Sequence, residues 1–261
     1  MDIRLDGRTA LITGGSLGLG RAMGMAFAQA GAAVALVARR REVLEEARRE
    51  IAAAAPKAKI GIYPCDVREA AGLEKTFAQA AGDLGPVDIL VNNAGTSRTG
   101  PFESLTDAVW QEDFELKLFS AIRLARLAMP GMRQRKWGRI LNVLNTGAKA
   151  PSANGAPTHV TRAAGMALTK VLAGEGAPYN VLVNAMLVGL IDSDQWVQRH
   201  KKDPAGKTYQ EYTQQMGKSV PMGRMGRAEE FAAMACFLAS DRASYITGTA
   251  INVDGGRSPV V

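Results

Sequence analysis

Three groups of residues carry most of the chemistry this sequence can offer. The first is "TGGSLGLG", Thr13 to Gly20. Gly14 permits a tight turn, Gly18 lets backbone approach a diphosphate, and Gly20 allows close helix packing. The N–H groups and positive dipole end of a following helix would then face phosphates. Ser16, Leu17 and Leu19 complete that loop as candidate cofactor contacts. The second group is Arg39-Arg40-Arg41, which ends an apolar run. An acidic residue there would hold a ribose 2′-hydroxyl, whereas Arg39 or Arg40 would bind a 2′-phosphate bidentately. The expected cofactor is NADP(H) in preference to NAD(H). The third is "APTHVTRAAG", 156–165, where His159 and Arg162 are spaced i,i+3 and share a helix face. An imidazole titrating near about 6.5 is a credible acid or base.

The elements that must position these groups are legible as alternating patterns. Apolar runs at 9–13, 33–38, 59–64, 87–92, 139–144, 181–186 and 248–253 read as buried strands. Helical periods lie between most of them, as at 42–55 and 229–240. Alternating strands and helices with right-handed crossovers predict an α/β fold. The expectation is a Rossmann-type doubly wound parallel sheet of about seven strands, one domain over 1–261. Residues 188–226 break the rhythm. They are long and polar, and read as a candidate substrate lid.

Composition narrows the classes. The chain has 261 residues and 47% apolar content, enough for a sizeable core. Net charge is +7, but the basic residues fall in short groups, most of them beside acidic ones, with no basic tail. That argues against nucleic acid as a partner. The two cysteines, Cys65 and Cys236, form no metal or disulfide motif. No leader and no long apolar run is visible, so no membrane partner and a cytoplasmic location are expected.

The glycine loop joins further marks. Cys65-Asp66-Val67 follows the third strand, Asn92-Asn93-Ala94-Gly95 ends the fourth, and "PMGRMGRAEEFAAMACFLASDRASYITGTAINVDGG" occupies 221–256. Together these resemble the short-chain dehydrogenase/reductase family, in the branch of 3-oxoacyl-acyl carrier protein reductases, over nearly the whole chain. The resemblance implies a nicotinamide cofactor and a homotetramer. It places Asp66 on the adenine, Val67 at a backbone contact, and Asn93, Ala94 and Gly95 on the adenosine ribose side. It puts Val188 where a proline is usual, beside Gly189, and matches Ser193 to a threonine near the nicotinamide carboxamide.

The same resemblance implies a catalytic Asn, Ser, Tyr and Lys. Register puts Lys117, Asn145, Thr158 and Arg162 at those positions, and all four differ. No catalytic role is carried over for them. A lysine normally lowers the tyrosine pKa from about 10 toward working pH, and a threonine hydroxyl cannot be moved that far. Asn145 still offers a hydrogen bond to a carbonyl oxygen. His159 is a candidate substitute acid, and Tyr209 or Tyr212 could swing in from 188–226. If Lys117 and Arg162 both face the cleft, they suit an anionic substrate. Three readings stand. One is an NADP(H)-binding oxidoreductase for a small carbonyl or alcohol substrate, anionic or an acyl-thioester, with an atypical proton route. Another is a lyase or hydrolase for an anionic substrate on the same scaffold. The third is a non-catalytic cofactor-binding protein.

Overall fold

The apolar runs become the strands of one sheet in the computed structural model, which describes residues 2–203 and 206–261. They are β1 (Thr9–Thr13), β2 (Ala33–Ala38), β3 (Ile60–Pro64), β4 (Val87–Asn92), β5 (Gly138–Asn145), β6 (Val181–Val188) and β7 (Ala250–Val253). All pairings are parallel, in the order β3-β2-β1-β4-β5-β6-β7. The helices are α1 (Gly18–Gln29), α2 (Arg41–Ala54), α3 (Ala70–Leu84), α4 (Asp107–Phe114), α5 (Ser120–Arg135), α6 (Thr158–Gly176), α7 (Asp194–His200), α8 (Tyr209–Gly217) and α9 (Ala228–Ala239).

Strand alternation sorts the core into two layers. Ile12, Val34, Leu36, Ile89 and Val91 pack on one side with Met23 and Phe27 of α1, Leu44 and Ile51 of α2 and Phe231 of α9. Leu11, Ala35, Val37 and Leu90 pack on the other with Leu73 of α3, Leu124 and Met132 of α5 and Ala173 of α6. Both faces are covered, which is why the strands read as unbroken apolar runs. Strand order reverses between β1 and β4, and the crevice beyond their carboxyl ends is where such sheets bind ligands. Thr13, Asn92, Asn145 and Val188 all end their strands at that edge.

Two features depart from the simple pattern. Between α4 and α5 the chain makes a π-helical turn, Glu115–Phe119, with Lys117 at its centre. Such turns add a residue to the helix and turn a side chain inward, often at functional sites. The excursion at 188–226 forms α7 and α8 over the carboxyl edge, and Pro204 and Ala205 within it lie outside the described residues. Thr208 and Glu211 close a capping box on α8. Among the described residues, no helix is long and apolar enough to cross a membrane.

Candidate active site

A cleft of about 590 Å³ opens at the carboxyl edge, lined by the glycine loop, the ends of β4, β5 and β6, the start of α6, and α7. At its nucleotide end no side chain caps α1 and no acid sits in the first turn, so its free N–H groups keep their partial positive charge. Gly14 and Gly18 take left-handed φ values of 64° and 51°. A Cβ on Gly14 would lie 2.9 Å from Asn93 Nδ2, and one on Gly20 would collide with the Gly14 carbonyl. Asn93 Nδ2 donates to the Thr13 and Gly14 carbonyls at 2.9 and 3.2 Å. The Thr13 hydroxyl accepts from the Asn93 and Ala94 N–H groups and donates to the Val91 carbonyl. Thr13 therefore locks β4 to the loop, a role its sequence position did not announce.

Of the residues the sequence offers as cofactor contacts, Gly14, Leu17, Gly18, Leu19, Asn93, Ala94, Gly95, Val188, Gly189 and Ser193 line the cleft, while Ser16 lies outside its lining. Arg39 and Arg40 stand exposed just past β2. Asp66 is engaged by Arg68 through its guanidinium and backbone N–H, which holds the carboxyl below its ordinary range. Val67 beside it is buried.

At the chemical end, Asn145, Thr158, His159 and Arg162 converge on the cleft, and Lys117 lies behind them. Lys117 Nζ, with its side chain 1% exposed, pairs with Asp113 and donates to Thr158 Oγ1 at 2.8 Å. Asp113 also accepts from Thr161 Oγ1 at 2.7 Å. Burial and the Arg162 charge lower the Lys117 ammonium to about 8, against the opposing pull of Asp113. The Thr158 hydroxyl also accepts from the Arg98 N–H at 3.0 Å and donates to the Arg98 carbonyl at 2.7 Å. Arg162 Nη1 donates to the Val143 carbonyl at 2.8 Å, and burial brings its guanidinium to about 10, still charged at neutral pH.

His159 sits between Gly147 and Gly155, where a Cβ on either glycine would strike the ring. Its Nδ1 accepts from the Ser152 N–H at 3.3 Å, so the neutral ring carries its proton on Nε2. Burial, then the Lys117 charge, pushes the imidazole below its usual range. Asn145 Oδ1 is buried without a partner among the described residues.

Lys117 and Arg162 do not form the paired anion site the sequence suggested, because Lys117 is turned away from the cleft onto Asp113 and Thr158. Tyr209 is likewise committed: its hydroxyl bonds Asp192, and both it and Tyr212 pack on His200. Over the nucleotide end, Gln195 Nε2 donates to the Gly95 carbonyl at 3.4 Å, and a Cβ on Gly18 would touch Ser193 Cβ at 3.4 Å. Sequence reasoning passed over Asp113, although its i,i+4 spacing to Lys117 was a visible signal. It also passed over Gln195, Trp196, Arg199 and Arg257, which reach the cleft only through the tertiary fold.

Residues 14–258 match the family model described as enoyl-(acyl carrier protein) reductase. The chain belongs to the short-chain dehydrogenase/reductase family. The 3-oxoacyl-acyl-carrier-protein reductase of Aquifex aeolicus is 32% identical over 260 residues, covering 98% of this chain and 99% of that one. L-sorbose reductase from Gluconobacter frateurii, solved with NADPH and L-sorbose, superposes with a TM-score of 0.94 at 35% identity over 100% of both chains. An NADPH-bound short chain oxidoreductase of Pseudomonas aeruginosa PAO1 containing an atypical catalytic center gives a TM-score of 0.91 at 36% identity, over 99% of both chains. As a family member the protein is a reductase-type oxidoreductase by scaffold.

Proposed function

We propose that this protein is an NADP(H)-dependent reductase of a small carbonyl compound, with its proton supplied by Lys117 through Thr158. The observation that carries the reading is the 2.8 Å contact of Lys117 Nζ with Thr158 Oγ1 at the cleft wall. Register against the family puts Thr158 where a tyrosine is usual. The atypical catalytic center of the Pseudomonas oxidoreductase supports treating the difference as chemistry rather than decay.

The residues present fit the cofactor. The glycine cradle leaves no room for a Cβ at Gly14 or Gly20, and the first turn of α1 keeps its N–H groups free for a diphosphate. Arg39 and Arg40, exposed at the end of β2, favour a 2′-phosphate, as do the NADPH complexes of the two structural relatives. Bound there, NADPH would supply the hydride.

The chain's own residues then manage the oxygen. The Asn145 amide and the His159 Nε2–H polarise the carbonyl. As charge develops, the Thr158 hydroxyl turns its hydrogen from the Arg98 carbonyl to the substrate oxygen and takes a proton from Lys117. The alcohol O–H forms, Lys117 is left neutral, and solvent reprotonates it after release. Burial, and after it the Arg162 charge, keeps Lys117 acidic enough to give up that proton.

A second reading, cofactor binding without turnover, draws on the Thr158 hydroxyl, whose hydrogen and acceptor sites are all engaged. Cytoplasmic residence, favoured by the buried free thiols of Cys65 and Cys236, and a homotetramer also belong to the proposal.

Fluorescence titration with NADPH and NADH, followed by NADPH oxidation over a carbonyl panel, tests it. NADPH should bind more tightly. Lys117→Met should lower turnover about 10²- to 10⁴-fold with NADPH affinity retained. Lys117→Arg, which keeps the charge but holds its proton, should fall as far. Turnover at the wild-type level in either variant would overturn the proton route, and tight NADPH binding by the wild-type chain with no turnover would select the second reading.

A further inference from the structure

Several arginines of the outer helices and the loops beside them meet carboxylates: Arg21 with Glu50, Arg123 with Glu115, Arg133 with Glu175 and Arg224 with Glu230. Two exposed arginines of the cleft do not. Arg199 on α7 and Arg257 beyond β7 both line it, both are exposed, and neither pairs with a carboxylate among the described residues. The one acid in the lining, Asp194, opens α7 beside Gly18, at the nucleotide end.

Arg199 has a packed side-chain mount and Arg257 a fixed backbone one. The Arg199 guanidinium carbon lies 4.6 Å from the centroid of the Trp196 ring, and Trp196 packs on Leu190, Val220 and Met225. Arg257 follows Gly255 and Gly256, whose φ values of 65° and 82° reverse the chain. Asp254 clamps that reversal by accepting from the Gly256 and Ser258 N–H groups at 3.0 and 2.7 Å. The Met222 N–H ties it to the neighbouring loop through the Gly255 carbonyl. Trp196 and Met216 add apolar surface to the lining. The Arg199 guanidinium rests on a packed ring and Arg257 projects from a clamped turn, and such donor forks match the planar oxygens of a carboxylate or phosphate.

We infer that Arg199 and Arg257 bind an oxyanion at the far end of the substrate, so that the substrate is a carbonyl compound bearing a carboxylate or phosphate beyond a short apolar spacer. This rests on the carbonyl-reductase reading for the reacting end only. It moves the anion contact from the Lys117–Arg162 pair to two residues some way out along the cleft.

The test uses the full chain saturated with NADPH. The probes are 4-oxopentanoate and 6-oxoheptanoate, each against its methyl ester, and dihydroxyacetone phosphate against dihydroxyacetone. The anionic member of one pair should be favoured in kcat/KM by about 10- to 100-fold, the range of a charge-assisted pair. Which pair shows it separates carboxylate from phosphate. Arg199→Gln and Arg257→Gln should each collapse that ratio toward one while NADPH affinity holds. A parallel calorimetric titration of the NADP⁺-loaded protein with the same anions is independent of turnover. Arginine-dependent binding without any NADPH oxidation would keep the anion site and remove the reductase reading. Turnover with no preference for the charged probe, no binding of any anion, or variants that weaken NADPH instead would each overturn the anion site.

Discussion

Lys117 is a buried cation bonded to Asp113 and Thr158, and its acidity is set by what surrounds it. Burial and Arg162 bring it to about 8. On the proposed proton route it must be protonated, so the reduction rate should be level below pH 8 and fall as pH rises through that value. Oxidation of the corresponding alcohol should rise over the same interval. A kcat profile in both directions checks this, and a reduction profile flat to pH 10 would remove Lys117 as the acid. Stability has its own sign. The folded-state value lies below the unfolded one of about 10.5, so the unfolded chain holds more protons between the two, and the Lys117 contribution to stability rises with pH across that window. Little of this was visible in the residues themselves. The sequence offers Lys117 and Thr158 as candidates, but a 41-residue separation hides whether they touch.

Among the elements, the inner strands were the most legible because they are buried on both faces. The runs at 9–13, 33–38 and 87–92 coincide with β1, β2 and β4, and 139–144 falls inside β5. The π turn was not legible, since one added residue in a helix leaves no mark in an apolar period. Nor was the placement of α7 and α8, whose polar surfaces carry no address. The glycines of the helices separate two physical roles that share a letter. At Gly20 a methyl group would meet the Gly14 carbonyl, whereas at Gly174 it would meet nothing within 4 Å. Gly20→Ala should destabilise the fold by about 1–3 kcal/mol and weaken NADPH binding. Gly174→Ala should stabilise it by about 0.4–1 kcal/mol. Thermal unfolding with and without NADPH distinguishes them, and equal melting temperatures would contradict the packing argument.

For the molecule as a whole, the exposed apolar residues bear on assembly. Val160 and Val171, 46% and 58% exposed, both lie on α6, and Phe119 is exposed just before α5. If this surface joins copies into the proposed homotetramer, Val171→Glu should reduce the mass seen by light scattering after size exclusion. A wild-type monomer would dispose of the assembly. The hydrogen bond of Gln195 to the Gly95 carbonyl, with Ser193 facing Gly18, bears on the order of binding. The nucleotide groove is roofed by the same short helix that carries the outer wall of the substrate cleft. On the proposed reading, with that helix acting as a lid, a dinucleotide laid along the glycine loop would be seated before the helix comes down. Initial-rate kinetics should then show ordered addition, nucleotide first. The ratio of reduced to oxidised nucleotide around the protein would set how many molecules are ready for a substrate at any moment.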